Sequence, residues 1–173
     1  VKLIPAGTDV YLNVAGRPAP QGSKKAFARG EKIAMVEMSE YVRPWREDVR
    51  TAAEVWMYRQ PNRSRFPLPG ALSVDMVFSI ARPKSHYGTG RNEGVLKGWA
   101  KTAHPTGPPD LSKLARSTED ALTSAGLWKD DARVVEYGAL AKRYVADDPD
   151  VFDLYARRVP GVVILVRQLE VAP

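Results

Sequence analysis

The stretch 109–137, PDLSKLARSTEDALTSAGLWKDDARVVEY, decides how the rest of the chain is read. Leu111, Leu114, Ala115, Thr118, Ala121 and Leu122 recur at the spacing of one helix face, which predicts an amphipathic helix. Ser112, Lys113, Arg116, Ser117, Glu119 and Asp120 fall on the other side. Asp110 stands directly before the helix, and Gly126 is placed to end it. Trp128, the acid pair Asp130 and Asp131, and a β-type segment from Arg133 follow. One carboxylate thus stands at a helix start and two stand just before a strand. A short return of the chain would bring them together. Gathered carboxylates repel unless a positive charge sits among them, and a hard divalent cation such as magnesium is the usual occupant.

Upstream, residues 82–109 show little periodicity over a length beyond that of ordinary loops. Arg82, Lys84, Arg91, Lys97 and Lys101 stand there against Glu93 alone, a net of +4 out of the chain's +6. A flexible basic loop that grips phosphates next to the acidic centre is the expectation, with an insertion of no role as the alternative. Trp99 is available to stack on an unpaired base. His86 and His104 stand too far from other ligands to argue as a site.

Further out, the strands separate by their alternation. Residues 9–15 carry Val10, Leu12 and Val14 on one side, residues 32–38 suggest a second strand, and residues 71–81 are the clearest, with Asp75 as a solvated acid on the open face. The loop 16–22 leads to Lys24 and Lys25 and reads as a basic arm or a plain connection. Pro44 suits the first turn of a helix whose stripe is Trp45, Val49, Ala52, Ala53 and Trp56, with the tryptophans in the core. Arg43, Arg46 and Arg50 line another side of that helix. A strand from Val135 follows the central stretch. Residues 146–158 are mixed, with Pro149 placed to open a short helix. The last strand, 162–171, is apolar on both faces, so it is central or covered by another subunit. The sum is an α+β fold: one domain over 1–173, a mixed or antiparallel β-sheet and helices packed on it.

The 173 residues suffice for one real core. The absence of cysteine excludes disulfides and thiolate zinc, and fits a reducing cytoplasm. The longest apolar run is too short to cross a bilayer, and no signal peptide is expected from the first residues. A net charge of +6 points to an acidic partner, nucleic acid foremost.

Asp110-Leu111, Arg116, Asp120-Ala121-Leu122-Thr123, Ala125-Gly126, Trp128, Asp130-Asp131-Ala132 and Val134-Val135 together resemble the core motif of the RusA-type Holliday junction resolvases, crossover junction endodeoxyribonucleases. The segment 82–85 adds a likeness to phage members. The resemblance implies a homodimer that binds branched DNA and resolves four-way junctions by paired nicks. It implies Asp110, Asp130 and Asp131 as ligands of Mg2+, with Mn2+ as a substitute. Asp110, Arg116 and Asp131 are then catalytic, Arg116 being an electrostatic clamp because an arginine stays protonated. Lys84, Arg91, Lys97, Lys101 and Lys113 are the expected DNA contacts.

The family pattern carries Asp-x-Asp at the helix start, and this chain has Ser112 at the second position. Losing that carboxylate lowers the expected metal affinity and raises the alternative of a relative that binds branched DNA without efficient cleavage. Two plainer readings stand beside the metal. Asp110 suits a helix cap, and Asp130 with Asp131 suits a polar turn. The metal reading needs the three side chains within about a dozen ångströms of one another, and the nuclease interpretation is hung on that proximity.

Overall fold

The computed structural model describes residues 4–22, 25–29, 32–36, 40–146 and 153–169. Among these lie strands β1 (Val10–Ala15), β2 (Lys25–Arg29) and β3 (Lys32–Val36), helix α1 (Val42–Tyr58), strand β4 (Leu72–Ile80), helix α2 (Leu111–Ser124), and strands β5 (Val134–Tyr144) and β6 (Gly161–Gln168). The main sheet has the order β1-β6-β4-β5; β4 and β5 are parallel and the other neighbours antiparallel. β2 and β3 form a separate antiparallel pair. The architecture is α+β with a mixed sheet, as the pattern predicts. β2 is a strand that the alternation rule passes over, and Lys24, Pro149 and Val171 lie outside the described residues.

Both helices cover one face of the sheet. Val74, Met76 and Phe78 of β4 meet Trp45 and Val49 of α1 and Leu114 and Leu122 of α2 in one core. Trp45 ties the layers together: its ring lies 6.5 Å from that of Phe78, and its Nε1–H donates to Thr118 Oγ1 at 3.2 Å. Trp45 is fully buried, while Trp56 is half-buried at the edge, packed on Phe66.

The opposite sheet face corrects one expectation and decides another. Asp75 is not solvated. It is 4% exposed and held by Arg167 at 2.8 Å, by the Tyr155 hydroxyl at 2.7 Å and by the Ala139 N–H at 3.0 Å. A carboxylate in a strand is tolerated there because every lone pair is met. The apolar β6 is a central strand, paired on both edges; Val163 and Leu165 on its second face are covered by Leu154 and Tyr155 of the same chain. The sheet's free edges are β1 and β5. β5 exposes Val135 and Tyr137, and Gly138 is the extra residue where its register against β4 slips between Val74 and Asp75. A side chain at Gly138 would strike the Asp75 carboxylate and the Arg167 guanidinium.

Residues 82–109 carry structure of their own: short 3-10 turns at Lys84–His86, Gly90–Asn92 and Gly98–Lys101, and a bridge between Tyr87 and Leu96. Arg82 anchors the segment by donating to the carbonyls of Ala100 and Val145. His86 is not isolated; it is buried between the rings of Trp99 and Tyr144. Lys84, Arg91, Lys97, Lys101 and Trp99 are exposed. No helix among the described residues is long and apolar enough to cross a membrane.

Candidate active site

Helix α2 positions the acids, and its two ends differ. At the start, Asp110 occupies the N-cap position, yet its side chain accepts no backbone N–H. The capping role therefore does not account for it. The carboxylate is exposed and clasped by Lys113, Nζ to Oδ2 at 2.8 Å. That hydrogen bond, the Lys113 charge and the charge of Lys142 hold the Asp110 carboxyl below its ordinary pKa. Lys142, on β5, donates to the carbonyls of Gly107 and Pro109 at 2.7 and 2.9 Å and so fixes the approach to Asp110. The Gln21 N–H donates to the Lys113 carbonyl and ties the loop before β2 to the same turn. Ser112 and Arg116 are exposed on this helix. The result is one carboxylate within a basic surround, a combination that suits a phosphate and a cation together.

The other end of α2 is stopped as the sequence predicts. Gly126 adopts φ +80°, the Gly126 N–H donates to the Thr123 carbonyl, and the Leu127 N–H donates to the Leu122 carbonyl. This is the glycine-terminated cap in which the last carbonyls are satisfied by a left-handed turn. Trp128 then fills the core and donates to Thr123 Oγ1 at 2.7 Å. Asp130 caps the short turn Asp131–Arg133 by accepting the Ala132 N–H at 2.8 Å. For Asp130 the polar-turn explanation holds. Asp130 and Asp131 line a hollow of about 360 Å³ with Arg46, Asp120, Thr123 and Ser124.

Beside it, Glu119 is 8% exposed and accepts the Tyr137 hydroxyl at 2.5 Å. Burial first, and then the charges of Asp131 and Asp120, push the Glu119 carboxyl up; the tyrosine bond opposes them. The same burial and the Glu119 partner push the Tyr137 hydroxyl up as well. Arg46 pairs with Asp120.

Within one chain the structure does not bring Asp110 to the Asp130–Asp131 pair. Asp130 and Asp131 lie by Asp120, Thr123 and Ser124, and from Asp110 to Asp120 is about 15 Å along the helix at about 1.5 Å per residue. Two carboxylates on one ion stand within roughly 5 Å, given oxygen-to-metal distances of about 2.0–2.6 Å. No group of three or more His, Cys, Asp or Glu able to hold a metal occurs among the described residues. The physical reason is the turn at Gly126: it stops the helix and leaves Asp130 and Asp131 beside its last turns, so that only the far end of β5, at Lys142, comes back to Asp110. Asp110, Asp130 and Asp131 of a single chain therefore do not meet on one ion.

Lys142, Glu119 and Tyr137 are the members of this region that sequence reasoning leaves out of the site. Tyr137 and Lys142 read only as strand alternation, and Glu119 only as one more polar residue on the helix. A family model described as endodeoxyribonuclease RusA matches residues 15–167 of the chain. A search among curated proteins returned no match.

Proposed function

The chain belongs to the RusA endodeoxyribonuclease family, and from that premise we propose that it nicks four-way DNA junctions as a homodimer whose metal sites are shared between two copies. The family resolves Holliday junctions and its nucleases generally depend on a divalent metal. The observation that carries the reading to particular residues is Asp110, an exposed carboxylate at a helix start that caps nothing and is ringed by Lys113 and Lys142.

The separation of the acids along α2 supports the second copy. Two chains related by a two-fold axis across α2 and β5 run these elements antiparallel, which sets the Asp110 end of one beside the Asp131 end of the other. The free β5 edge, with Val135 and Tyr137 exposed, is the surface such pairing uses. Asp110 with Asp130 and Asp131 of the partner subunit would then hold Mg2+ or Mn2+. A divalent ion held there would supply Lewis-acid activation of water and neutralise charge on the phosphate. Arg116 and Lys113 clamp the phosphate from the helix, and Lys84, Arg91, Lys97 and Lys101 track the flanking backbone.

The assay is nicking of a synthetic four-way junction and of a linear duplex of the same sequence, with Mg2+ or with chelator. Symmetric nicks in the junction alone, abolished by chelator, are expected; equal cutting of both substrates, or none, defeats the reading. Ser112, standing where the family has its second Asp, favours one other outcome: tight junction binding with slow cleavage, seen as a metal-independent shift in mobility.

A further inference from the structure

A cavity of about 590 Å³ opens beside the start of α2, outside the carboxylate cluster. Half of its lining residues are prolines, Pro20, Pro109 and Pro160 among them, and Ala81 stands at its exposed rim. At one side the Arg17 guanidinium carbon lies over the Tyr41 ring, 3.7 Å from the centroid. The contact holds the guanidinium at the cavity, and its N–H donors lie in its own plane. Pro109 is joined by a peptide bond to Asp110. The loop that carries Arg17 and Pro20 is tied to the first turn of α2 by the Gln21 N–H, and the Pro109 carbonyl is held by Lys142. Cavity and carboxylate are therefore tied to the same turn.

The lining specifies its occupant. Proline rings and a tyrosine offer flat apolar contacts, and a single planar cation offers donors at one edge. A phosphate would waste the apolar walls, and an aliphatic chain would leave the guanidinium unmatched. A nucleobase has apolar faces and an acceptor-bearing edge, and the size falls in the range of about 300–1,000 Å³ usual for ligand sites. At a junction's branch point a base has lost a stacking neighbour, so taking it out of the stack costs less there than within a duplex.

We propose that this cavity receives one unstacked nucleobase next to the phosphate that meets Asp110, and that Arg17 reads its acceptor edge and so sets sequence preference. The inference rests on the junction-cutting reading and extends it to specificity.

The test uses the full chain, in chelator, with four-way junctions carrying 2-aminopurine at each position flanking the branch point. Fluorescence should rise at one position on binding. Ala81→Trp, which fills the cavity from its rim, should abolish the rise and weaken junction binding about tenfold, the scale of one lost base stack. Should Ala81→Trp fail to fold, Tyr41→Ala carries the same expectation. Arg17→Ala should flatten the cleavage-sequence preference of nicking. If the wild type nicks junctions but no position brightens, or brightening survives Ala81→Trp and Tyr41→Ala, the inference is overturned while the nuclease reading stands. Brightening that these variants abolish, in a chain that never nicks, upholds the cavity and defeats the nuclease. A chain that ignores junctions defeats both. Weakened self-association of Ala81→Trp without any brightening overturns the inference in favour of a second copy filling the cavity.

Discussion

Lys113 Nζ lies 2.8 Å from Asp110 Oδ2, one helical turn on, and this pair takes the place of the helix cap that the sequence position suggests. Because no backbone N–H depends on the carboxylate, Asp110→Asn should change stability by less than about 0.5 kcal/mol. Nicking should fall by about 100-fold or more, corresponding to a charged group worth at least about 2.7 kcal/mol in the transition state. Thermal melts and single-turnover nicking on the same preparations check both halves. Full activity of Asp110→Asn removes this residue from the chemistry.

The clasp also predicts a pH effect. The folded-state pKa of Asp110 is lowered, so its contribution is present above the ordinary value of 3.8 and is lost as pH falls through the folded value. Lys113→Gln should move the Asp110 titration, followed by carboxylate NMR, up toward that ordinary value. An unmoved titration would show that Lys113 is not its cause.

A site shared between two copies makes a prediction that a single-chain site cannot. Asp110→Asn and Asp131→Asn chains, each inactive alone, should recover nicking when mixed. One of the two shared sites in the mixed dimer then carries both intact acids. Recovery of about a quarter of the wild-type rate of nicking one strand is expected, since about half the dimers are mixed and one site of two is whole in each. Sites built within one chain give no recovery, because each would keep one defect.

Buried Glu119 and the exposed Tyr137 are hydrogen-bonded toward the other helix end. The Glu119 carboxyl is raised, so the stability it contributes is fully present below the unfolded value and is lost as pH rises through the folded one. Tyr137→Phe removes the one bond that favours the ionised form. It should cost about 1–3 kcal/mol at neutral pH, and less in mild acid, where the carboxyl takes up a proton. Glu119→Gln should flatten the same limb of the stability profile. Urea melts across pH 4–8 measure both, and a pH-independent loss in Tyr137→Phe would contradict the assignment.

Gly138 faces the Asp75 carboxylate and the Arg167 guanidinium with no room for a methyl group. Gly138→Ala should cost about 1–3 kcal/mol through overpacking, whereas Asp75→Ala strands the arginine and should cost about 3 kcal/mol or more. If Gly138→Ala melts with the wild type, the bulge is looser than the geometry requires.

The amphipathic spacing of 111–124, the stop at Gly126 and the alternation in β4 were legible because each depends on neighbours a few residues apart. The motif around Asp110, Arg116 and Asp131 was legible for the same reason, and it led to the family. Asp75 was misread as solvated because its partners, Tyr155 and Arg167, lie 80 and 92 residues away. The proximity on which the nuclease interpretation was hung failed within one chain, and that interpretation now stands on the family. Sequence spacing by itself determined which acids exist and which of them start a helix or precede a strand. The tertiary structure alone decided that α2 holds them apart, since a helix advances about 1.5 Å per residue whatever its side chains carry, and the turn that follows fixes which end of it the next aspartates meet.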